Sequence, residues 1–142
     1  MFHTRRQAVL TQTNSRPAVK PTIWAGRVLS AIAILFLAFD TIIKVLNLPS
    51  AVEATTQLGY GAGQVVTIGI IELVCLALYV IPRTAVLGAL LLTGYLGGAV
   101  AIHMRAASGF FPLVFPLIIG TLIWGGLLLR DQRLSALMWP QP

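Results

Sequence analysis

The chain has 142 residues, of which 57% are hydrophobic and only 10% charged, with a formal net charge of +6. Soluble domains carry about 25% charged residues, so a water-covered globule is excluded, and the length suits one compact unit. The basic residues sit at the ends of apolar runs and form no stripe or patch, which argues against nucleic acid as a partner and for a lipid bilayer.

Residues 1–22, beginning "MFHTRRQAVLTQTNSRPAVK", are basic and polar and are expected to form a disordered tail. They resemble the charged start of a signal peptide, but no cleavage site fits. The apolar run that comes next, about Ile23–Leu48, is therefore expected to be a retained first membrane helix. Pro49 is expected to end it, and "LPSAVEATTQLGYGAG", polar and glycine-rich, reads as a long loop. A second span covers about Gln64–Ile81, and a tight turn, "PRT", occupies 82–84. The third span runs from about Ala85 to His103, "MRAASG" closes it, and the fourth takes Phe111–Leu129. Each is near the roughly 20 apolar residues a membrane helix needs. The sequence thus predicts an all-α, polytopic four-helix membrane bundle over residues 23–137, with a short C-terminal tail, 138–142.

Arg5, Arg6, Arg16, Lys20, Arg27, Arg83, Arg130 and Arg133 fall on one side of such a bundle, and only Lys44 and Arg105 on the other. This bias places the first side, with both termini, in the cytoplasm. Trp24, Trp124 and Trp139 lie near the same side, where interfacial aromatic residues prefer to sit. "GYLGG" sets Gly94 and Gly98 four residues apart, the spacing that lets helix backbones approach closely, and Gly120, Gly125 and Gly126 are candidates for the same role on the fourth helix. Cys75 is the lone cysteine, so no intrachain disulfide and no dithiol chemistry is available to the chain.

Charges inside the spans carry the functional signal. An unpaired Asp or Lys at a helix centre costs roughly 2.5–3.5 kcal/mol. Asp40 and Lys44 are four residues apart on the first helix, so they share a face and can pair. Lys44 is also close enough to the outer interface to extend its ammonium toward water. Glu72 lies near the middle of the second span. It either reaches Lys44 across the helices or stays protonated, and either pins helices together or serves a site. His103 ends the third span on the outward side, with Arg105 beyond it, and Tyr95 lies on its stripe. Asp40, Lys44, Glu72 and His103 are the candidates for a polar pocket in the outward half of the bundle, with Tyr79, Tyr95 and Arg105 as supporting residues. A lone histidine is a poor metal signal, so no metal site is expected.

The segments "LNLP", "LYVIPRTAVLGALLLTGYLGGAVAIHMR" and "WGGLLLRD", with the mid-span Glu72, resemble the DoxX-like family of small bacterial membrane proteins over about Trp24–Leu137. The resemblance implies a four-helix membrane bundle of the bacterial inner membrane. It also implies a hint of quinone or thiol redox chemistry, with a quinone as the cofactor, although the residues make none evident by themselves, and a membrane or redox protein as partner. The glycine spacing adds a second copy of the chain as an alternative to contacts within one bundle. The chain has no Cys-x-x-Cys and no evident haem ligand pair, so it departs from a protein that transfers electrons alone. Three functions are consistent with these residues. The first is an accessory or scaffold subunit of a membrane redox or stress-related system. The second is a proton-coupled small-molecule transporter using Glu72. The third is an enzyme, if so an oxidoreductase subunit, acting on a small substrate delivered from outside, such as a sulfur compound, with Glu72 and His103 as acid or base.

Overall fold

A computed structural model describes residues 21–138; residues 1–20 of the expected disordered tail and Trp139 lie outside these residues. Pro21 and Thr22, expected to belong to that tail, open the first helix, and Met138 ends the last one. Four helices are long and apolar enough to cross a membrane: α1 (Pro21–Val45), α3 (Val65–Val80, extended by a single 3-10 turn at Ala62–Gln64), α4 (Ala85–Arg105) and α5 (Phe110–Arg130). Two short helices accompany them, α2 (Pro49–Gln57) and α6 (Gln132–Met138), and no strand occurs among the described residues. Helix α1 packs on α3 and α5, and α4 packs on the same two, so the four form a closed ring with α1 diagonal to α4. In this up-and-down order α1 begins and α5 finishes at one end, the tail end; the α1–α3 connection lies at the other, the loop end.

The outside of this ring is oily. Leu35, Phe39, Leu90 and Leu117 are 71%, 64%, 60% and 57% exposed, as a surface solvated by hydrocarbon allows and one solvated by water does not. Inside, Ala33, Leu37, Leu92, Ile123 and Leu127 form the core. With apolar residues on both sides, helix association depends on close packing and interhelical hydrogen bonds.

Close packing occurs at Gly126, one of the fourth-helix candidates, and otherwise at glycines without the motif spacing. A methyl group at Gly26 would lie 2.8 Å from Leu129 Cβ and 2.9 Å from the Gly126 carbonyl oxygen, so α1 and α5 meet backbone to backbone at the tail end. Gly126 returns the contact against Ser30, and Gly88 lies against the backbone of Leu78 and Tyr79, which closes the α3–α4 hairpin. By contrast, nothing lies within 4 Å of where a methyl group at Gly94 or Gly98 would sit, and at Gly120 only Leu96 Cδ1 does, at an ordinary 3.7 Å.

The loop between the first two spans is also more regular than expected. Helix α1 stops at Val45, before the proline. Asn47 takes a left-handed φ of 52°, and the Leu48 N–H turns back to the Ile43 carbonyl at 3.0 Å, a helix stop that satisfies an otherwise orphaned carbonyl. Pro49 then starts α2, a position where its missing N–H costs nothing. Ala51 and Thr55 are the buried face of α2. Trp124 does not serve only as an interfacial anchor, because its indole N–H donates to Thr93 Oγ1 at 2.9 Å and ties α5 to α4.

Candidate functional site

The site begins with a missing methyl group. At Gly69 a Cβ would lie 2.8 Å from Lys44 Cβ and 3.0 Å from the Val45 nitrogen, so only glycine lets α1 lie this close to α3. Glu72 stands three residues further along α3, on the same face. Lys44 is the penultimate residue of α1, and helical side chains lean toward the N-terminus of their helix. The ammonium therefore points back into the bundle and does not extend to the interface, as its place near the end of the span had suggested it would.

Lys44 Nζ lies 2.5 Å from Asp40 Oδ2, 3.0 Å from Glu72 Oε2 and 2.9 Å from the Tyr95 hydroxyl. Tyr95 in turn donates to Glu72 Oε2 at 2.8 Å. An ammonium has three hydrogens and no acceptor, and here each has an acceptor. The pairing crosses the ring, because Tyr95 belongs to α4, diagonal to α1, so one cation joins α1, α3 and α4. Burial is graded: the Glu72 side chain is 0% exposed, Lys44 16% and Asp40 29%. Such burial is tolerable because the charges are paired and hydrogen-bonded.

This cluster leaves acceptor capacity unused. Among the described residues, Glu72 Oε1, Thr41 Oγ1 and His103 Nδ1 are buried without a hydrogen-bond partner. Two carboxyl groups share one ammonium and one phenol, so acceptors outnumber donors.

A cavity of about 830 Å³ lies against the cluster at the loop end, within the range of small-molecule pockets. Asp40, Lys44, Tyr95 and His103 belong to its polar lining, with Gln57 and Ser108 further out, and Phe36 and Phe115 form an apolar wall, their rings edge to face with centroids 4.8 Å apart. Thr55 and Leu58, from the end of α2, and Tyr60 border it as well. Glu72 does not line the cavity; it lies behind Lys44 and Tyr95. Pro112 and Pro116 of α5 belong to the wall, and Pro116, inside the helix, removes one backbone hydrogen bond there.

Asp40, Lys44 and Glu72 are thus joined directly, and Tyr95 is a full member of the cluster. His103 lines the same cavity but makes no hydrogen bond to the other three. Tyr79 is not part of the pocket: fully buried, it donates to the Ile123 carbonyl at 3.0 Å and lies 3.0 Å from Ser30 Oγ. Arg105 is exposed at the end of α4, outside the cavity lining. Gly94 and Gly98 line the cavity, where a side chain would take up space. Neither Gly69 nor α2 stands out in the sequence; the signal for Gly69 is its i, i+3 spacing to Glu72 in an otherwise apolar helix. Cys75 is buried and free. Among the described residues no three His, Cys, Asp or Glu side chains come together as a metal ion would require.

A family model described as the DoxX-like family matches residues 28–126, a stretch that contains every member of the cluster and His103. No curated protein and no solved structure matches the chain.

Proposed function

We propose that this chain, which belongs to the DoxX-like family, is an accessory subunit of a membrane redox or stress-related system. In this reading it holds a lipophilic molecule with a hydroxylated head, such as a quinol, in the loop-end cavity. The observation that carries the reading is the cavity of about 830 Å³ whose lining combines the Lys44 cluster with the aromatic rings of Phe36 and Phe115. All three ammonium hydrogens are committed to acceptors within the protein, so Lys44 has none to give a quinone carbonyl. Beside Lys44, the Asp40 carboxylate, part-exposed at 29%, and His103 Nδ1 have capacity to spare; further out in the lining, Gln57, Tyr60 and Ser108 also carry donors. The carboxylate, an acceptor only, suits a ligand that donates hydrogen bonds, as does His103 Nδ1 in the tautomer that carries its proton on Nε2; beside Lys44 this favours the reduced, hydroxyl-bearing form of a quinone head over the oxidised one. A bound quinone would supply two-electron chemistry; the residues here bind and orient its head. The loop end faces away from the cytoplasm of a bacterial inner membrane, in keeping with the distribution of lysine and arginine.

The test is native mass spectrometry of the gently solubilised chain with a short-chain benzoquinol, under anaerobic conditions, and with the matching quinone. Preferential retention of the quinol, reduced about tenfold by loss of one hydrogen bond to a charged group in Asp40→Asn, supports the reading. Equal retention of both forms, or retention unaffected by Asp40→Asn and His103→Ala, overturns it.

One observation favours a second reading, a proton-coupled transporter: Glu72 is fully buried at mid-span with Oε1 unpartnered. In proteoliposomes that reading requires pH-driven substrate uptake that Glu72→Gln abolishes.

A further inference from the structure

A second cavity, of about 230 Å³, lies at the tail end between α1, α5 and the turn joining α3 to α4. Its lining includes two arginines, Arg27 and Arg130, one carboxylate, Asp131, and the apolar residues Ile23, Ala85 and Leu127. It shares no residue with the loop-end cavity, so a ligand at the tail end is independent of a quinol at the loop end.

The charge inventory leaves these arginines without a counter-ion among the described residues. The chain has only four acidic residues. Asp40 and Glu72 are engaged by Lys44 in the cluster, and Glu53 is exposed on α2 at the loop end. Asp131 is the one acid near, and its Oδ1 accepts the backbone N–H groups of Arg133 and Leu134 at 3.0 and 3.3 Å, capping α6. Among the described residues the ion pairs within 4.0 Å are those of Lys44 alone. Arg83, exposed beside the cavity residue Pro82, adds a further positive charge. Arg130 is held in place, because its guanidinium lies 5.2 Å from the centroid of the Tyr79 ring. That ring is itself fixed by its bonds to Ser30 and Ile123.

From this we infer that the tail-end cavity binds the phosphodiester of an anionic phospholipid. Planar guanidinium groups match phosphate oxygens in a forked geometry that an ammonium cannot reproduce, and two of them line this cavity. Basic pockets between membrane helices take anionic head groups for this reason. The apolar lining of Ile23 and Leu127, with Trp24 66% exposed on the adjoining surface, gives acyl chains a place to lie and so favours a lipid over free phosphate. Asp131 in the same lining opposes a second negative charge, which selects a singly charged diester over a phosphomonoester.

The full chain in neutral detergent is titrated with phosphatidylglycerol, phosphatidylcholine and inorganic phosphate, and binding is read by native mass spectrometry and by the shift in melting temperature. One retained phosphatidylglycerol, bound at least tenfold tighter than phosphatidylcholine, is expected. Arg27→Gln and Arg130→Gln should each weaken it about tenfold, as removal of one charge-assisted contact implies; Arg105→Gln, at the opposite end, should leave it unchanged. Arg27 is exposed, so Arg27→Gln should melt like the wild type without lipid, which separates lost binding from lost folding. Equal binding of both lipids, an equal effect of Arg105→Gln, or no effect of Arg27→Gln overturns the site. Protection by inorganic phosphate as strong as by phosphatidylglycerol overturns its assignment to a lipid.

Discussion

Replacing Lys44 by methionine keeps an unbranched side chain, one atom shorter, and removes its charge. In the folded chain this deprives Asp40 of its contact at 2.5 Å and Glu72 of its contact at 3.0 Å, leaving Glu72 with only the Tyr95 hydroxyl as donor. Asp40, 29% exposed, can be hydrated at the cavity; Glu72, at 0%, cannot. The loss is therefore dominated by one uncompensated buried carboxyl group. Removing one partner of such a pair costs about 3–5 kcal/mol. Adding Glu72→Gln to Lys44→Met removes the stranded charge and should restore at least half of that loss. Reversible unfolding in mixed detergent micelles, followed by far-ultraviolet circular dichroism, measures all four members of the cycle. A loss below about 1 kcal/mol for Lys44→Met, the level of an exposed ion pair, would refute the reasoning, as would a double variant no more stable than the single one.

Other consequences can be checked in the same assay. Gly88→Ala forces a methyl group into the backbone of Leu78 and Tyr79 and should cost about 3 kcal/mol or more, the upper range for overpacking. Gly94→Ala, with nothing within 4 Å, should be neutral or stabilising by about 0.5–1 kcal/mol through helix propensity; a reversed order would show that the helices are rotated otherwise. Tyr79→Phe strands the Ser30 hydroxyl, bonded to it at 3.0 Å, and should cost about 1–3 kcal/mol. Cys75 is 6% exposed, so maleimide labelling should track unfolding, and rapid labelling of the folded chain would contradict its place in the core.

What the sequence made legible was length and depth. The apolar run expected over Phe111–Leu129 became a helix from Phe110 to Arg130, because bilayer thickness sets a span and polar ends mark it. Depth, counted at a fixed rise per residue, also put Glu72 within reach of Lys44. Rotation about each helix axis was not legible. In a soluble helix the contrast between polar and apolar faces reveals which side is inward, but a helix surrounded by lipid is apolar all round and loses that contrast. So Tyr79 and Tyr95, alike as residue types, could not be told apart, and one lies between Ser30 and Ile123 while the other completes the cluster. The glycines met the same obstacle, for Gly94 and Gly98 have the spacing of a packing motif while the close contacts fall at Gly26, Gly69, Gly88 and Gly126. Helix α2 was legible in principle, since Pro49 is well placed to open a helix and residues 50–57 contain no glycine or second proline. The polarity of that stretch obscured it.

The two ends of α5 differ in stiffness. At the tail end, backbones touch through Gly26, Gly88 and Gly126, leaving little room for the helices to slide. At the loop end the wall of the larger cavity includes Pro116, where the missing rung in the hydrogen-bond ladder makes α5 easier to bend than elsewhere. Helix α5 is thus clamped at its base and freer at its mouth, where α1 and α3 stay joined through Gly69: α5 can flex outward from Pro116 to admit a bulky guest without prising apart the contacts beneath. Hydrogen exchange should register this gradient, slowest near Tyr79 and quickest along the first two turns of α5.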